Sequence, residues 1–116
     1  MKEYKKFIPK QKKSFSNPRE AEEARLGEIS FKEVGMHFTI KVIVDALTQT
    51  SGPTLFTVSD GTATLVLKGF QSPGERAFPQ INLENAVHAK IKVNEYNGAL
   101  EGEIINITQL TGLEAA

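Results

Sequence analysis

From Met36 to Leu110 apolar and polar residues alternate with a period of two, the spacing that turns one face of a β-strand toward a core. Phe38, Ile40, Val42, Val44 and Ala46 alternate with Thr39, Lys41, Ile43, Asp45 and Leu47, which predicts a long first strand over 36–49. The turn signal TQTSG follows. Phe56 and Val58 then share one phase and Leu55, Thr57 and Ser59 the other, predicting a second strand over 53–59. Asp60-Gly61 supplies a tight hairpin, because glycine accepts the positive φ such turns need. The third strand, 62–70, sets Ala63, Leu65, Leu67 and Gly69 against Thr64, Val66, Lys68 and Phe70. The fourth, 86–95, sets Val87, Ala89, Ile91 and Val93 against His88, Lys90, Lys92 and Asn94. EYNGA turns the chain into a fifth strand over 99–109, where the apolar phase slips between Ile104 and Ile105 as a bulge requires.

Two segments break the alternation. QSPGERAFPQINLEN carries two prolines and reads as a connector anchored by Phe78, Ile81 and Leu83, with room for one helical turn. Upstream, NPREAEEARLG gathers helix signals: Asn17 as cap, Pro18 at the first position, Glu20 three residues after the cap, and Gly27 as stop. They predict a short helix near 18–26. Five strands in this order, with the long connector between the third and fourth, fit an all-β architecture. It is the five-stranded Greek-key OB-fold barrel, here with a short N-terminal helix. The long first strand fits as well, since it must curve into both halves of such a barrel. A five-stranded barrel of the SH3 kind is the alternative, but its strands are usually shorter and its long loop comes earlier.

Charge changes this picture in one respect. The 116 residues carry 14 basic and 14 acidic groups, a formal net charge of zero. Yet residues 1–19 hold seven basic side chains against Glu3 alone, a balance of +6, whereas 20–34 stand at −3 and 35–112 at −2. The positive charge therefore belongs to an arm. The chain divides into a basic arm or linker (1–16), a short helix and lead-in (17–34), the OB-fold domain (35–112) and a frayed C-terminus (113–116). No cysteine is present, which excludes disulfides and thiolate metal sites and is compatible with a reducing cytoplasm. No apolar run reaches the length of a membrane span, and the basic N-terminus lacks the apolar segment of a signal peptide. The expectation is a cytoplasmic module with no membrane partner.

Catalytic patterns fail on their spacing. His37 and His88 have no neighbouring partner for a metal or a nucleophilic triad. GFQSPGER has the two glycines of a phosphate loop, but Glu75 stands where the essential lysine belongs. Asp45 and Asp60 read as a strand and a turn residue. The chain is read as non-catalytic, with no cofactor and no metal.

FTVSDGTATLVLKGF followed by RAFPQINLENAVHA resembles the OB-folds of archaeal and eukaryotic replication protein A, over roughly Gly35 to Leu110. NPREAEEARLGEI followed by SGPTLFTVSDGT is similar to the OB segment of archaeal RecJ-like DHH-family phosphoesterases. That second resemblance implies a module of a larger DNA- or RNA-processing protein, one with a place in DNA repair and with flanking zinc-finger or nuclease domains. In the replication protein A pattern the aromatic at the position of Phe70 stacks on a base, and a second stacking aromatic lies in the hairpin where Tyr96 stands. The position of Val66 carries a basic contact in that family, and this chain departs from it. The resemblance implies a module that binds single-stranded DNA or RNA by stacking and backbone contacts. The candidate contacts are Phe70, Lys68, Val66 and Thr64 on the third strand, Thr57 and Leu55 on the second, Lys41 on the first, Lys90 and Lys92 on the fourth, and Tyr96.

Plainer readings stand beside each. Phe70 could be core, since most phenylalanines are buried, although it shares its phase with Thr64 and Lys68. Tyr96 could be a turn aromatic, the lysines ordinary solvated strand positions, Arg76 a connector charge, and the arm a linker instead of a phosphate track. A protein-interaction OB module, favoured by the −2 balance of the body, and a tRNA-binding OB module of the anticodon type remain as alternative functions.

Overall fold

The structure is a computed structural model that describes residues 21–110. A short strand β1 (Glu22–Glu23) and two single-turn 3-10 helices (Leu26–Glu28 and Phe31–Glu33) lead into five long strands. These are β2 (His37–Gln49), β3 (Thr54–Ser59), β4 (Thr64–Gly69), β5 (Ala86–Tyr96) and β6 (Ala99–Gln109). They close in the order β2–β3–β4–β6–β5 and back to β2, with β4 and β6 parallel and the other neighbours antiparallel. This closed barrel is the OB-fold that the strand order predicts, and each of the five expected strands lies within two residues of its predicted ends.

β2 serves both halves of the barrel. His37–Ile43 pair with β5, and Ile43–Gln49 pair with β3. Asp45 is an extra residue between the Val44–Val58 and Ala46–Thr57 pairs. The bulge reverses the phase beyond it, so Ala46 is exposed, contrary to expectation, and Leu47 packs against the core instead. The bulge expected in the last strand is present: Lys90 pairs with Asn106 and Ile91 with Ile104, leaving Ile105 over.

Ile40, Val44, Phe56, Val58, Leu67, Val87, Ile91 and Val93 are fully buried inside the barrel. Each contributes roughly 1.5–3 kcal/mol through removal from water. Gly102 faces the same interior. A Cβ there would lie 2.7 Å from Leu67 Cδ2 and 3.0 Å from Ile91 Cδ1, so any side chain would force those two core residues to shift.

The helix expected near 18–26 is not found in its described part. Glu22 and Glu23 run parallel to Phe38 and Thr39, and the Ala24 N–H donates to Thr39 O at 2.9 Å. The Leu26 N–H donates to the Asp60 carboxylate at 2.8 Å, and the Gly27 N–H to Thr62 Oγ1 at 2.9 Å. Tertiary partners thus take the donors a helix would have used, and they bury Leu26 at the turn end of the β3–β4 hairpin. Gly27 is selected here for closeness, since a Cβ would sit 3.1 Å from Thr62 Cβ. Burial pushes the Asp60 carboxyl up. Hydrogen bonds from the Thr62 hydroxyl and from the N–H groups of Leu26, Thr62 and Ala63 outweigh it and hold the group below the usual carboxylate range. The capping residues Asn17, Pro18 and Glu20, the arm 1–16 and the terminus 113–116 lie outside the described residues.

The connector contains turns and no helix. Ile81 is fully buried and Phe78 packs its ring on Phe56, but Leu83, the third expected anchor, is exposed. The fully buried Thr54 hydroxyl accepts from the Ala77 N–H at 2.8 Å, fastening the connector to β3. Arg76 donates from Nη2 to the Ile81 carbonyl and the Asn82 side chain, a role internal to the connector.

Candidate nucleic-acid interface

Alternation in β3 and β4 sends Phe56, Val58, Leu65 and Leu67 inward, so their neighbours must point out. Leu55 stands opposite Lys68, Thr57 opposite Val66, and Ser59 opposite Thr64. β6 extends this surface, with Glu101 beside Val66 and Glu103 beside Lys68. Five of the expected contacts, Leu55, Thr57, Thr64, Val66 and Lys68, therefore form one outward patch across two strands. Tyr96, at the end of β5, joins it through Lys68, whose Nζ lies 4.1 Å from the centre of the tyrosine ring. The same ammonium is 3.0 Å from Glu101 Oε2. The two side chains keep only 29% and 13% of their surface exposed, so this pair is more shielded than an ordinary surface ion pair.

Phe70 follows Gly69, the last residue of β4, and is 62% exposed. The reason is local. The connector crosses on the inner side, where a Cβ on Gly69 would lie 3.0 Å from the Phe78 ring and 3.1 Å from Ala77. Phe78 occupies the inner position with its own backbone at φ +50°, a left-handed conformation that a bulky residue adopts only when its surroundings enforce it. The plainer reading of Phe70 as core therefore fails. Tyr96 is likewise 58% exposed, one residue before the Asn97-Gly98 turn, where both residues take positive φ.

The remaining lysines are elsewhere. Lys41 pairs across strands with His88, Thr39 with Lys90, and His37 with Lys92, all on the outward side of β2 and β5. Lys41 also lies 3.9 Å from Glu23 of β1, both well exposed. β6 separates this lysine face from the outward patch of β3 and β4, with Glu103 standing between Lys68 and Lys92. The ten candidate residues thus divide between two faces. Sequence reading missed Glu101, because the parallel register that places it beside Val66 joins strands distant in the chain. It also missed Thr54, whose phase with Phe56 signals burial but not the partner of its hydroxyl.

Among the described residues no helix is long and apolar enough to cross a membrane, and no three metal-ligating side chains come together.

No family model matches the chain. One curated relative, an uncharacterized protein of Methanocaldococcus jannaschii, is 35% identical over 69 residues. The match covers 60% of this chain, which spans only 9% of that relative's length. Among solved structures, a replication protein A heterotrimer bound to single-stranded DNA superposes with a TM-score of 0.56 at 11% identity, over 65% of this chain and 57% of that one. An aspartyl-tRNA synthetase from Entamoeba histolytica gives 0.64 at 16% identity, over 75% and 21%. An OBody bound to hen egg-white lysozyme gives 0.61 at 19% identity, over 90% and 98%. At these identities the likeness establishes the fold.

Proposed function

We propose that this chain is a non-catalytic OB-fold module that binds single-stranded nucleic acid by base stacking, with backbone contacts from lysines. The observation that carries the reading is the pair of exposed rings, Phe70 and Tyr96, at the margins of the outward patch of Leu55, Thr57, Val66 and Lys68. Every base offers a face to such rings, and each stacked base contributes about 1–3 kcal/mol whatever its identity. The replication protein A neighbour, bound to single-stranded DNA, supports the DNA form of this reading, and the aspartyl-tRNA synthetase neighbour makes RNA the other strand to test. The length of the relative, and the resemblance to the OB segment of RecJ-like phosphoesterases, support a place within a larger DNA- or RNA-processing protein.

Titration of labelled single-stranded DNA and RNA at 50 and 200 mM salt is the test, the salt dependence reporting phosphate contacts. Saturable binding that weakens with salt is the expected result. A protein-docking role is the second reading, favoured by the pairing of Lys68 with Glu101 and by the OBody neighbour bound to lysozyme. Absence of binding to either strand at low salt would replace the first reading with the second.

A further inference from the structure

On the reading that this patch takes single strands, we propose that Glu101 is a specificity-determining residue that makes it select guanine over thymine or uracil. The observation is a carboxylate where an affinity-driven phosphate binder would not place one. Glu101 stands in the middle of the patch, beside Val66 and opposite Asn94, with most of its side chain covered. Its partner among the described residues is Lys68, held at 3.0 Å and also lying over the Tyr96 ring.

The chemistry follows from what the pair leaves unused. An ionised carboxylate has about four acceptor sites and an ammonium three donors, and one contact between them consumes few of either. The pair therefore offers an acceptor and a donor side by side, next to the exposed Tyr96 ring that can hold a base. Unpaired bases are read on their Watson–Crick edges. Guanine presents two adjacent N–H donors, on N1 and N2, that fit a carboxylate, and the O6 acceptor beside them fits the lysine. Thymine and uracil present a single N–H flanked by two carbonyl oxygens, and those oxygens repel a carboxylate. A neutralised Lys68 also attracts phosphate weakly, so the patch discriminates by base edge more than by charge.

The test uses the full chain and two DNA strands of about ten nucleotides, within the span of an OB-fold. One is all thymidine and the other alternates thymidine and guanosine. The expected result is tighter binding of the guanosine strand by roughly five- to 150-fold, the range for a good two-point base contact. Glu101→Gln should bring the two affinities within about twofold, at a melting temperature close to that of the parent. Freeing Lys68 raises the affinity for both strands, so the ratio between them is the readout. Equal affinities in the parent chain, or a preference that survives Glu101→Gln, would overturn the role of Glu101 while leaving single-strand binding intact. Failure to bind either strand would overturn both.

Discussion

The two outward faces of this barrel differ in what they can hold. The surface of β3, β4 and β6 carries a leucine, a valine, threonines and the Lys68–Glu101 ion pair, with the Phe70 ring just past the end of β4 and the Tyr96 ring reaching it from β5. The surface of β2 and β5 carries Lys41, Lys90 and Lys92 with His37 and His88, and no large ring among the outward residues of that pairing. Phe70 and the lysines of β2 and β5 are here set on opposite sides of β6, while Tyr96 ends the same β5 that carries Lys90 and Lys92. On the proposed function, the comparison implies a base-stacking surface distinct from the phosphate-attracting one. A strand using both must cross β6, where Glu103 stands between Lys68 and Lys92.

The core beneath both faces is the control for that idea, and its loss should have the largest effect. Leu65→Ala leaves a cavity under the β3–β4 surface and should cost about 2–5 kcal/mol of stability, read by denaturant unfolding. Both faces should fail together, and one that kept its affinity in the destabilised protein would show that it does not depend on the closed barrel. Next comes Phe70→Ala, which should weaken single-strand binding by about 1–3 kcal/mol while hardly moving the melting temperature, since the ring covers no core. Its salt dependence should match that of the parent chain. The triple variant Lys41→Ala, Lys90→Ala, Lys92→Ala should do the opposite. Three phosphate contacts at about 0.7 each lower the slope of log affinity against log salt by about 2. If the slope holds, the β2–β5 surface is only solvated, and the comparison collapses to one face.

The smallest expected effect lies where the lead-in meets the β3–β4 hairpin that leads to Phe70. Asp60→Ala removes the acceptor of the Leu26 and Thr62 N–H groups and should cost about 1 kcal/mol, as loss of a capping side chain does. The sign with pH follows from the lowered native pKa. The contribution is complete above the unfolded value of about 3.9 and disappears as pH falls through the still lower native value. Parent and variant should therefore differ in stability at neutral pH and converge in strong acid. A difference that persists there would assign the effect to packing instead of the carboxylate.

How much of this could be read from the chain depended on whether the deciding partner was near in sequence. Alternation told which residues of β3 and β4 point outward, because each side chain's direction follows from its neighbours'. The β6 bulge was legible because Ile104 and Ile105 are adjacent and cannot both point inward. The β2 bulge was not, since Ile43, Ala46 and Leu47 are all apolar and mask the change of phase at Asp45. The lead-in read as a helix because its local signals are those of a helix. The acceptors that overrule them, Thr39 of β2 and Asp60 and Thr62 of the β3–β4 turn, come from further along the chain. Which candidate residues point outward was legible, and their division between two faces was not. Lys41, Lys68, Lys90 and Lys92 have the same outward phase on paper, and only the order of strands around the barrel decides which lysine keeps company with Phe70 and Tyr96.

Closure of the barrel also governs the timing of folding. The β3–β4 hairpin needs only its own short turn and can form as soon as Gly69 has been synthesised. The first half of β2 must wait for β5, and β4 must wait for β6, the last of the five barrel strands. Until then both carry unpaired backbone groups along an open edge, the condition that invites pairing with another chain. Such distant pairings also slow the search, since loop closure is paid before any contact repays it. The hairpin bearing Phe70 is thus finished early, while the strand bearing Glu101 arrives last, and the patch they share exists only once the barrel has shut.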